Sequence, residues 1–119
     1  MNYRRSLFTI IVTGALSLSL AAEAGTLGSG PVQGHAFICR SVNIGPTNVR
    51  TLTVSIVNSS TASPLSTETC SDVGTDRTCQ VSWQEPVDAV VAHCRVTSSD
   101  SANGLRATFV VDGDVVDVR

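Results

Sequence analysis

Apolar and polar residues alternate through most of this chain after its first third, and the period of two predicts strands rather than helices. In residues 89–97, Val90, Ala92, Cys94 and Val96 fall on one face, with His93, Arg95 and Thr97 on the other. In residues 49–58, Leu52, Val54 and Ile56 oppose Thr51, Thr53 and Ser55, the pattern of a half-buried antiparallel strand with a hydroxyl-lined outer face. Residues 35–42 carry Phe37 and Cys39 on one side. Ala36, Ile38 and Val42 lie on the other, interrupted by Arg40, so both faces are partly apolar and suit a strand covered on two sides. Residues 78–84 place Cys79, Val81 and Trp83 against Gln80, Ser82 and Gln84, and Glu85-Pro86 ends the run because proline cannot donate to a ladder. Residues 65–70 are too polar for a central position and read as a short edge strand.

Turn chemistry separates these runs. Gly45-Pro46 breaks residues 43–48, Pro64 lies in the polar connection 59–66, and 71–77 and 98–104 are further polar loops. Asp112-Gly113 is the strongest hairpin signal, since a two-residue type I′ turn needs positive φ at both positions. With Leu105, Ala107 and Phe109 inward, the hairpin predicts Val111 opposite Asp114, Phe109 opposite Val116 and Ala107 opposite Val118. Together with residues 89–97 it reads as a three-stranded meander. Residues 25–34 are glycine-rich and read as a flexible lead with a short strand near Val32. No helical period, repeat or low-complexity tract follows. The expected fold is all-β: a small immunoglobulin-like antiparallel sandwich over residues 35–119.

The first 24 residues change the compartment. Arg4 and Arg5, the apolar stretch 7–20 and Ala22-Glu23-Ala24 have the three parts of a secretory signal peptide. Its apolar stretch of 14 residues falls short of the roughly 20 of a helical span. The expected location is secreted or periplasmic, with no membrane span after cleavage. What remains holds six arginines, no lysine and nine acids, a net charge of −3, which lacks the basic footprint that nucleic acid or an anionic membrane requires. Only Phe37, Trp83 and Phe109 are aromatic there. Valine, threonine and serine dominate, and such a thin core calls for cross-links.

All four cysteines follow the cleavage site, and an even number in an exported chain points to two disulfides. Three pairings are open. Cys39–Cys94 with Cys70–Cys79 is favoured, because Cys39 and Cys94 share inward faces and could staple two sheets, while Cys70 and Cys79 enclose a short loop between segments that suit a hairpin. Zinc is disfavoured by spacings of 31, 9 and 15, and no Cys-x-x-Cys redox pair is present.

Candidate chemistry is sparse. His35 and His93 have no sequence-adjacent acid and no serine in a Gly-x-Ser-x-Gly turn, so both read as solvated surface residues. Asp72 and Asp76, and the group Asp112, Asp114 and Asp117, lack the ligand rhythm of a calcium loop. Asn58-Ser59-Ser60 fits the N-glycosylation pattern, and Trp83 reads as a core tryptophan packed near a disulfide. No catalytic residue, metal ligand or cofactor site is assigned.

Cys39 and Asn43, the 52–56 alternation, the Cys70 and Cys79 pair, and Cys94-Arg95-Val96 before Leu105-Arg106-Ala107 resemble small exported bacterial proteins of uncharacterised function. The resemblance implies a secreted β-sandwich and carries no activity with it. The first functional expectation is a non-enzymatic binding or structural module at the envelope or outside the cell, taking a protein or glycan through the loops 59–66, 71–77 and 98–104 or through an edge strand. Asp72, Asp76 and Arg77 mark the candidate loop. A second expectation is a protease inhibitor offering Arg77 from the Cys70–Cys79 loop to a trypsin-like pocket. A third is a pilus or adhesin-type subunit, ranked below because residues 25–34 lack an alternating donor segment and the last strand is already complete. The oligomeric state is left open.

Overall fold

The computed structural model describes residues 25–118, and the signal peptide expected over residues 1–24 lies outside them, as does Arg119. Nine strands form, joined by one short 3-10 turn. They are β1 (Gly25–Gly28), β2 (Val32–Gly34), β3 (Ala36–Asn43), β4 (Val49–Asn58), β5 (Pro64–Val73), β6 (Thr78–Gln84), β7 (Val90–Ser98), β8 (Leu105–Val111) and β9 (Asp114–Val118). The 3-10 turn, Ala102–Gly104, precedes β8. Residues 25–34, read from their glycines as a flexible lead, thus carry two short strands, both pairing with β7.

Two antiparallel sheets pack face to face. One has the order β9-β8-β3-β6; the other runs β1-β7-β4-β5, with β2 continuing along β7 beyond β1. Immunoglobulin domains share the two layers and the inter-sheet bridge, but not this strand order. Consecutive long strands stay in one sheet only at β4–β5 and β8–β9; every other connection from β3 onward crosses the sandwich. Two expectations fall to that topology. The C-terminal meander is absent, because β7 lies in the opposite sheet from β8 and β9. Cys70 and Cys79 do not flank a hairpin either: β5 and β6 are edge strands of different sheets, and residues 74–77 arch between them. The edge position of β5 agrees with its polarity, but the strand is ten residues long rather than short.

The inner faces follow the alternation. Phe37, Cys39, Leu52, Val54, Ile56, Cys94, Val96, Leu105 and Phe109 are almost wholly buried, and the rings of Phe37 and Phe109 stack with centroids 5.9 Å apart. Trp83, at the end of β6, is half-buried and packs against this cluster. Ser55 and Val57 are buried although they point away from it, so the outer face of β4 is more covered than alternation alone suggests.

The Asp112-Gly113 turn forms with φ of 52° and 87°. Beyond it the register departs from expectation. Asp114 faces Val111 and Val115 faces Val110, then a bulge leaves Asp117 opposite Phe109 and Val118 opposite Thr108. Val116, expected to meet Phe109 in the core, is instead 40% exposed. The extra residue turns the Asp117 carboxylate toward the other sheet, where Oδ2 accepts from the Gly30 amide at 3.4 Å. Bulges of this kind are common on edge strands, which they twist away from further pairing.

Both disulfides span the layers. Cys39–Cys94 joins interior strands β3 and β7, and Cys70–Cys79 clasps edge strands β5 and β6. By loop-closure entropy the first contributes about 4 kcal/mol and the second just under about 3 kcal/mol. Replacing Cys39 and Cys94 by alanine is therefore expected to lower unfolding free energy by about 4 kcal/mol or more, since the site is fully buried, and the Cys70/Cys79 pair by less. Urea titrations of the two double variants check the order; an equal loss from both contradicts it.

Candidate functional site

Strand direction sorts the loops into two groups. β3, β5 and β7 all end where the connections 43–49, 73–78 and 98–105 lie, so these three share one end of the sandwich. The connections 34–36, 58–64, 84–90 and 111–114 lie at the other. The structure thus brings together two of the three loops marked by sequence, 71–77 and 98–104, and places 59–66 at the far end. The loop 43–48 joins the first two, although it was read only as a turn.

Asn43 organises this end. It closes β3, is 1% exposed, and makes three side-chain hydrogen bonds. Nδ2 donates to the carbonyls of Thr47 (2.8 Å) and Val73 (2.9 Å), while Oδ1 accepts from the Gly45 amide at 2.9 Å. Its main chain donates to the Arg77 carbonyl at 3.1 Å and accepts from the Asp76 amide at 2.6 Å. The third loop is held by the Ile44 amide, which donates to the Gly104 carbonyl at 2.8 Å. Gly45 and Gly104 touch backbone to backbone: a Cβ on Gly104 would stand 3.1 Å from the Gly45 Cα, so neither position has room for a side chain without displacement.

An ion pair braces the outside of the same end. Arg50 Nη2 lies 2.9 Å from Asp100 Oδ1, and the Arg50 amide donates to Oδ2 at 3.0 Å. The amide first, and then the guanidinium, hold the Asp100 carboxyl below its ordinary range. Between the loops lies a recess of about 420 Å³ bounded by residues 43–50 and 100–104, and a second, of about 440 Å³, borders the Cys70–Cys79 clasp.

The three residues marked by sequence all occupy this region. Asp72, Asp76 and Arg77 are exposed. Asp72 and Asp76 have φ of 51° and 64°, a left-handed conformation that aspartate tolerates better than most residues, so backbone shape accounts for both. Arg77 donates its amide to the Gly74 carbonyl at 3.0 Å and gives its own carbonyl to Asn43, which folds the loop back as a turn. Its side chain is exposed while its main chain is occupied.

Elsewhere, one histidine keeps its expected surface setting and the other departs from it. His35 is exposed, with Nδ1 3.2 Å from the Glu85 carbonyl. His93 is half-buried, and Nδ1 lies 2.9 Å from Ser59 Oγ. Thirty-four positions separate that pair, and only the β4–β7 register, Val57 opposite His93, brings them together, so no local signal in the chain announces it. Burial lowers the His93 pKa, and the nearby Arg95 lowers it further. Its charged neighbour is thus a cation, where a catalytic histidine needs an orienting carboxylate. At the same end Asp112 Oδ1 accepts from the amides of His35 (3.0 Å) and Ala36 (2.9 Å), which depress its pKa and tie the hairpin to the start of β3. Among the described residues no group of three or more His, Cys, Asp or Glu side chains is placed to hold a metal ion. No helix among them is long and apolar enough to cross a membrane.

Comparison with known proteins finds no family model, no curated protein and no solved structure that matches this chain.

Replacing Asn43 by alanine removes the partners of two carbonyls and one amide in a largely buried site, so a loss of about 3 kcal/mol is expected in chemical denaturation. Acidification should weaken the fold in two stages. His93 has a depressed folded pKa, so the unfolded chain takes the proton first, and stability falls as pH drops below the ordinary histidine value. Asp100 and Asp112 are also depressed; their contribution is complete above the ordinary carboxylate value and is lost as pH falls through their folded values. Melting temperature against pH should lose its upper stage in His93→Gln, and its lower stage should shrink in Asp112→Asn.

Proposed function

We propose that this chain is an exported, non-enzymatic binding module acting in the periplasm or outside the cell, and that it meets its partner, a protein or a glycan, through the end carrying loops 43–48, 74–77 and 99–104. The observation that carries this reading is the Asn43 hub. It fixes loops 43–48 and 74–77 to each other from inside, and its neighbour Ile44 ties in 99–104, so their outward residues are held in place before any partner arrives. A surface already ordered loses less conformational entropy on binding than three free loops. Arg77 and Asp76 stand exposed there, Arg77 lining the recess beside the clasp, and the clasp at Cys70–Cys79 stiffens the arch that carries them.

Export is supported by the signal-like residues 1–24 and by two disulfides, which persist in oxidising compartments. The non-enzymatic reading rests on the lack of an orienting acid at the Ser59–His93 pair. The inhibitor alternative is not taken up, because a protease requires the carbonyl of the residue in its specificity pocket, and that of Arg77 is bonded to Asn43. A pilus-type role finds no support either: β9 already fills the edge beside β8, where an incoming strand would lie.

The test is immobilisation of the oxidised, exported protein against envelope extract, culture supernatant and a glycan array. Arg77→Glu should reduce capture about tenfold or more if Arg77 is a contact. Thr53→Ala, on the outer face of the five-stranded sheet, should leave it unchanged. Capture that ignores Arg77→Glu and Asp76→Ala but is lost in Thr53→Ala moves the site off the loop end.

A further inference from the structure

β3 is apolar on both faces, and within one copy of the chain only the inner face is covered. On the outer face of the four-stranded sheet Ala36, Ile38 and Val42 are half-buried, and no described element lies over them. Register extends the apolar patch sideways. Val110 on β8 faces Ile38, and Val115 on β9 faces Val110, so an aliphatic row crosses three strands. Val115, at the open end of that row, is 61% exposed. Ile38 and Val110 of that row line a groove of about 570 Å³ that reaches Gly113.

Charge on this face is divided by the row. Arg40 lies one alternate step above Ile38, and Arg106 two steps above Val110. Asp112 lies one step below Val110 and abuts Ala36, the residue one step below Ile38. Cations stand on one side of the aliphatic row and the anionic turn on the other, with Arg40 and Asp112 each one step of about 7 Å from it.

We propose that this face is a self-association surface, on which a second copy of the chain packs about a twofold axis running along the Val115–Val110–Ile38 row. Rotation about that axis lays each strand antiparallel over its own copy and sets the row against itself. Whatever lies one step above the row then meets what lies one step below it. Arg40 is brought over the partner's Ala36 and within side-chain reach of the partner's Asp112, one strand spacing of about 4.8 Å away. Symmetry makes the same contact twice, as an isologous interface requires. The Asp112 carboxylate uses Oδ1 for its two amide bonds, and Oδ2 is left to accept from the arriving guanidinium. A partner of unrelated sequence would need to supply both an aliphatic strip and oppositely placed charges; a second copy supplies both by its symmetry. The result is a four-layer stack whose loop ends point in opposite directions, independent of what those loops bind.

Sedimentation equilibrium of the oxidised, exported protein tests this. The expected result is a mass rising to twice that of one chain with concentration, with weaker association as salt is added. Val115→Arg and Arg40→Glu should each weaken dimerisation by about tenfold or more while melting temperature holds, since both side chains lie on the outer face. Arg95→Glu, on the outer face of the opposite sheet, should leave the mass unchanged. A monomer at every attainable concentration overturns the proposal and assigns the face to some other partner. A dimer indifferent to both Val115→Arg and Arg40→Glu overturns it as well, since the copies then join elsewhere.

Discussion

Cys39 and Cys94 are the point through which both sheets are tied to each other. Each sits on an interior strand of its own sheet, and each is at most 2% exposed. The layer they cross is thin in bulk: two stacked phenylalanines, a half-buried tryptophan, and otherwise leucine, isoleucine, valine and alanine. A domain of this size buries too small a share of its surface for such side chains alone to hold two sheets with much margin. Covalent closure at the centre lets the remaining inner positions stay small. The second bridge does different work. It closes the seam between two edge strands and fixes the ends of the 74–77 arch, so the loop end inherits rigidity from the core.

That division between a tied centre and a shaped end was only partly visible in the chain. Inner faces were legible because burial follows a period of two, whichever strand lies alongside. Leu52, Val54 and Ile56 had to share a side, and Cys39 and Cys94 had to point inward. The choice of neighbour is another matter. Residues 59–63 and 74–77 are connections of similar length and polarity, yet the first closes a hairpin and the second crosses between sheets. Nothing in the alternation of β5 or β6 distinguishes the two outcomes, so Cys70–Cys79 looked like the rung of a hairpin. Its pairing was readable and its geometry was not.

The same limit explains the other departures. A bulge at Val116 adds one residue to an edge strand, where neither face is tightly held, and it accompanies a contact of Asp117 with Gly30, 87 positions earlier. Asn43 stood in the chain only as part of a resemblance and as a polar residue before Gly45-Pro46, although it joins two loops of one end and its neighbour Ile44 holds the third. Asp72, Asp76 and Arg77 were noticed because they are charged. The residue that gives them a fixed setting is neutral and buried, and its role depends on carbonyls of Thr47 and Val73 that only the fold brings to it.

The two outer faces show why one sheet is finished by its own side chains and the other is not. Across the five-stranded sheet, register aligns Thr26, Thr97, Thr53 and Thr69 into one row. Hydroxyls there bond to one another, Thr53 to Thr69 at 3.2 Å and Ser55 to Thr67 at 3.1 Å, and the rest can bond to water. That face is compatible with solvent as it stands. The four-stranded sheet carries valine and isoleucine at the equivalent outward positions, and they have nothing to offer water. Outward threonine would have served strand propensity equally well, as it does on the other sheet. An exposed aliphatic row across one outer face, between opposite charges, therefore needs an explanation beyond strand formation, and cover by another surface supplies it.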